Sequence, residues 1–122
     1  AWAMALTLAG HTREPLAAGQ PLWVELAWRV AERQPNALYH FGVYLLDEQD
    51  TVVAQHDGPG FDSIQWRPGD GLITWHLLPI PDDLPPGRYR LAAALYTWPE
   101  LGRAELMGGG NTAYLEEIDA GE

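Results

Sequence analysis

The chain has 122 residues, 47% of them hydrophobic and 20% charged, which is enough for one core and too apolar for a disordered segment. Its net charge of -10 at pH 7 sets 17 acidic residues against seven basic ones, all Arg, and excludes nucleic acid as a partner together with any chemistry that needs lysine. Cysteine is absent, which removes disulfides, thiolate nucleophiles and cysteine-ligated zinc.

Ten Pro and thirteen Gly divide the rest into short apolar runs rich in β-branched and aromatic residues, a pattern that favours strands over helices. The first, Trp2 to Ala9, lacks the basic start of a signal peptide and reads as a strand opening a piece of a larger protein. In "LWVELAWRV", from Pro21 to Ala31, the alternation puts Leu22, Val24, Leu26, Trp28 and Val30 inward and Glu25 and Arg29 in solvent. From Leu38 to Leu46 the inward set is Tyr39, Phe41, Val43 and Leu45. The polar stretch Asp47 to Asp50 then makes a hairpin turn into the strand Thr51 to His56. After a Pro/Gly loop comes Gly71 to Leu78, where the most apolar parity places Ile73, Trp75 and Leu77 inward. Arg88 to Thr97 alternates with Tyr89, Leu91, Ala93 and Leu95 inward, and Thr112 to Ile118 closes the chain. About seven strands in a single domain, residues 1–122, predict an all-β, immunoglobulin-like Greek-key sandwich.

"DLPPGRYRL" sets a Pro-Gly turn before a strand whose first inward residue is Tyr89, the arrangement of a tyrosine corner, in which the hydroxyl bonds back to upstream backbone. Asp82 and Asp83 then belong to the incoming loop, and Arg88 and Arg90 point outward, where pairing with the aspartates would be worth roughly 0 to 1 kcal/mol. An acid pair facing a basic pair is thereby read as structural. The stretches "LAAGQPLWVELAWRV", "HFGVYLLDEQDTVVAQHDGP", "WRPGDGLITWHLLPIPDDLPPGRYRLAAALY" and "YLEEI" together resemble the β-sandwich tail domain of bacterial multi-pass membrane glycosyltransferases of the protein-mannosyltransferase type. That resemblance implies an extracytoplasmic accessory domain, held at the cell membrane by the rest of its parent protein, with catalysis located there.

No catalytic set assembles from the motifs. Ser63 is the only serine and has no nucleophile elbow around it, and His11, His40, His56 and His76 lack zinc-ligand spacing and read as solvent-side residues. Asp47, Glu48 and Asp50, or Asp57 and Asp62, could serve calcium by residue type but match no calcium-loop spacing, so neither a metal nor another cofactor is expected. The aromatic surplus points elsewhere. With Trp28 and Trp75 assigned to the core, Trp23, Trp66 and Trp98, joined by Tyr44 and Tyr96, form the candidate set for stacking on a glycan. The outer face carrying Gly42, Tyr44, Leu46, Ala92, Ala94 and Tyr96 is expected to be an apolar contact surface, for the membrane part of the parent, a second copy or a glycan.

Overall fold

The structure is a computed structural model that describes residues 2–11, 16–30, 38–59, 67–98, 105–106 and 112–121, with the backbone alone over 2–11, 38–39, 59, 97–98, 105–106, 113 and 116. The strands are β1 (Trp2–His11), β2 (Leu22–Val30), β3 (Leu38–Leu46), β4 (Val52–Pro59), β5 (Gly71–Leu78), β6 (Gly87–Trp98), β7 (Glu105–Leu106) and β8 (Ala113–Ala120). Seven coincide with the runs read from sequence. The eighth, β7, is a two-residue strand that pairs parallel to the start of β1.

One sheet has the order β5-β2-β1-β7 and the other β4-β3-β6-β8, so the chain crosses between sheets after β2 and at every step from β4 onward, in Greek-key fashion. The inner faces meet where alternation predicts for β2, β3 and β6. Val24, Leu26 and Trp28 from one sheet pack on Phe41, Val43, Leu91 and Leu95 from the other, all buried. Trp28 and Phe41 meet across the gap with ring centroids 5.3 Å apart, a tilted contact that ties the sheets at mid-height.

The tyrosine corner forms. The Tyr89 hydroxyl donates to the Pro85 carbonyl at 2.5 Å, and Tyr89 is buried. Arg88 pairs with Glu117 and Asp119 on β8, each at 3.5 Å, and Arg90 pairs with Asp50 at the β3–β4 turn. Asp82 faces Gly19 instead, whose left-handed φ of 75° and missing side chain let the two loops close together. Asp82 and the two arginines of the corner thus serve different neighbours, and the corner is structural.

β5 departs from its sequence reading. Thr74, His76 and Leu78 are buried, while Ile73, Trp75 and Leu77 face solvent. The cause is register with β2: Leu72 lies opposite Trp28, His76 opposite Val24 and Leu78 opposite Leu22, and directly opposed residues share a face. Because Trp28, Val24 and Leu22 point inward, the Leu72 parity of β5 must follow. Burying Thr74 also answers a need of the core, since the Trp28 indole N–H donates to the Thr74 hydroxyl at 3.0 Å and is not left unpaired.

Candidate functional site

The corrected register creates a surface on the outer face of the β5-β2 pair. Trp75 is 62% exposed, Ile73 51%, Trp23 49% and Leu77 37%. Trp23 lies opposite Leu77 and Glu25 opposite Trp75, so the two indoles occupy a diagonal of adjacent strands, a spacing of about 7 to 8 Å between positions. Ala27 opposite Ile73, and Gly71 opposite exposed Arg29, keep the rest of the floor low. Two large aromatic rings, two aliphatic side chains and one charge of each sign therefore share a flat face. Sequence reasoning found Trp23 but assigned Trp75 to the core, and the missed signal was the inward parity of β2, which dictates that of its partner.

The opposite outer face is closed over β3 and β6, while Tyr114 on β8, opposite Ala92, is 58% exposed. Gly42 lies directly opposite Asp57 and one pair away from Tyr44, and a Cβ added at Gly42 would overlap the Tyr44 hydroxyl and stand 2.8 Å from Asp57 Oδ1. The Tyr44 side chain therefore folds over the glycine, and its hydroxyl donates to Asp57 Oδ1 at 3.1 Å. Gln55 donates to the other carboxylate oxygen at 2.8 Å. Burial, followed by the Asp57 charge and a hydrogen bond to it, pushes the Tyr96 hydroxyl above its usual pKa. Leu46, Ala92 and Ala94 are buried on this side as well, so the expected open apolar floor does not exist, and Tyr96, at 8% exposure, is not an exposed stacking ring. Farther along, the Arg90 guanidinium sits 4.6 Å over the Tyr114 ring.

The five candidate residues therefore do not form one site. Tyr44 and Tyr96 share Asp57 on one sheet; Trp23 stands on the outer face of the other. Trp98 ends β6 opposite Leu38 with its side chain outside the described residues, and Trp66 lies wholly outside them, as do Asp62 and Ser63.

Two of the histidines converge, contrary to the solvent-side reading. His56 on β4 and His76 on β5 bring their Nδ1 atoms to 3.0 Å across the gap between the sheets, and His76 Nε2 lies 2.8 Å from the Thr74 hydroxyl. The result is a hydrogen-bonded chain from the Trp28 indole through Thr74 and His76 to His56. Burial, then the neighbouring His56, lowers the His76 pKa to about 4 against a weaker opposing pull from Asp57, and the ring is neutral at pH 7. At the hairpin turn, Asp47 Oδ1 accepts from the Gln49 and Thr51 amides at 2.9 Å each, and Asp50 has a left-handed φ of 61°. These carboxylates hold a turn. A groove of about 380 Å³ runs from that turn to the tyrosine corner, lined by Asp47, Glu48, Val53, Pro86 and Arg88.

No family model matches the chain, and no curated protein does. Among solved structures, the C-terminal domain of wzt is similar with a TM-score of 0.74 at 13% identity, over 100% of this chain and 75% of that one. The likeness is one of fold, and it agrees with the two-sheet all-β sandwich described above.

Proposed function

We propose that this domain is a non-catalytic carbohydrate-binding module whose platform is the outer face of β5 and β2. The observation that carries the reading is the exposed pair Trp23 and Trp75, set diagonally on adjacent strands of one flat face. Indole rings present a negative π-face that attracts the polarised C–H groups on the apolar side of a sugar ring, while Glu25 and Arg29 on the same face offer an acceptor and donors for hydroxyls. A net charge of -10 favours an uncharged glycan over a polyanionic one. The placement of the domain in a cell-envelope membrane protein of the glycosyltransferase type, outside the cytoplasm, belongs to the same proposal. It rests on the sequence resemblance, and in that setting the module would hold an acceptor or product glycan near the membrane part.

A glycan array probed with the chain and with a Trp23→Ala, Trp75→Ala double variant tests the site. Two stacking rings contribute about 1 to 3 kcal/mol together, so the variant should bind roughly ten- to a hundredfold more weakly while keeping its melting temperature. Binding to no glycan, or unchanged binding by the folded variant, overturns the reading.

A further inference from the structure

The four outermost strands of the two sheets differ in how their open edges are protected. β8 carries Glu116, Glu117 and Asp119, β4 carries Asp57 and ends in Pro59, and β7 has only two residues. Charge, proline and shortness are the usual devices that stop a strand edge from pairing with another chain. β5 has none of them. It is eight residues long, "GLITWHLL", contains no charged residue and no proline, and among the described strands pairs on one side only, with β2.

Its sequence is also symmetric by type about Trp75. Thr74 and His76 flank the tryptophan, Ile73 and Leu77 come next, and Leu72 and Leu78 follow. In a two-fold antiparallel pairing of identical strands each residue before the axis meets its counterpart after it, so this symmetry sets like against like at every pair. From these observations we infer that β5 is a self-pairing edge, and that two copies of the chain join β5 to β5 about a two-fold axis at Trp75. On the outer face Trp75 then opposes Trp75 of the second copy and Ile73 opposes its Leu77, both favourable cross-strand pairs. On the inner face Thr74 opposes the second copy's His76, polar against polar. The occupant is a second copy and not an unrelated peptide for a reason of charge as well as symmetry: although each chain carries -10, pairing through β5 sets no like charges directly opposite, as pairing through β8 would. The two sheets become one continuous sheet, and its outer face carries Trp23 and Trp75 from both copies.

Sedimentation of the 122-residue chain, with no glycan present, over a concentration series reaching hundreds of micromolar, is expected to show monomer and dimer in exchange. Ile73→Lys and Leu77→Lys, made separately at exposed positions, each place a cation on this edge and should yield monomers with an unchanged circular dichroism spectrum. A wild-type chain that stays monomeric throughout, a species larger than a dimer, or a folded lysine variant that dimerises as the wild type does overturns the inference. None of these outcomes depends on whether a sugar binds.

Discussion

The outer face of β5 and β2 and the outer face of β3 and β6 both carry aromatic residues at outward positions, yet only the first leaves them available. On β3 and β6 the aromatics are tyrosines, and their hydroxyls converge on one carboxylate, Asp57, lying over small residues. The polar tip is satisfied within the sheet, and the ring closes the face. On β5 and β2 the aromatics are tryptophans beside Ile73, Leu77 and Glu25, and they remain in solvent. An outward aromatic residue therefore does not make a binding surface by itself. What decides is whether a neighbour can take the polar atom and whether a small residue lies beneath the ring.

The comparison depends on the two sheets staying joined, and acid is the strongest way to break it. His76 titrates near 4 in the fold against 6.5 in the unfolded chain, so between those values the unfolded state binds more protons and stability falls as pH falls. The loss should approach roughly 3 kcal/mol by pH 4 and be absent above about pH 7. Denaturant unfolding at several pH values checks it, and His76→Gln should flatten that part of the profile. The closed face can be broken separately. Gly42→Ala puts a methyl group where the Tyr44 hydroxyl lies and should cost about 1 to 3 kcal/mol in thermal unfolding, whereas Trp23→Ala or Trp75→Ala on the open face should change stability by about 0.5 kcal/mol or less. Equal effects on the two faces would erase the distinction. The finest test is Tyr44→Phe, which removes one donor to a half-exposed network and should cost about 0.5 to 1.5 kcal/mol with no effect on glycan binding.

Much of the fold was legible because turn residues and alternation agree. The Pro-Gly turn before Tyr89 specified both a strand start and the bond from its hydroxyl, and "LWVELAWRV" has one apolar parity and one charged parity, so only one face can be buried. β5 was not legible on its own. Both parities of "GLITWHLL" contain leucine, and the parity with Ile73 and Trp75 is the more hydrophobic, so local reasoning chose it. The competing term is non-local: pairing with β2 and the buried Trp28 N–H together make Thr74 and His76 the better inward pair. That one strand carried the site with it. Trp75 moved from core to surface, His76 moved from surface to core, and the histidine pair became visible only when β4 was brought opposite β5.

The bond between Trp28 and Thr74 joins residues 46 positions apart in the chain. Such a contact has a kinetic meaning, because the long loop it closes must lose its freedom before the contact gives anything back. With a pairing between strands distant in the chain in each sheet, β2 with β5 and β3 with β6, the domain belongs among the slow folders, in the millisecond to second range. The Trp28 indole, buried and donating only when β5 has docked, reports the closing of that loop.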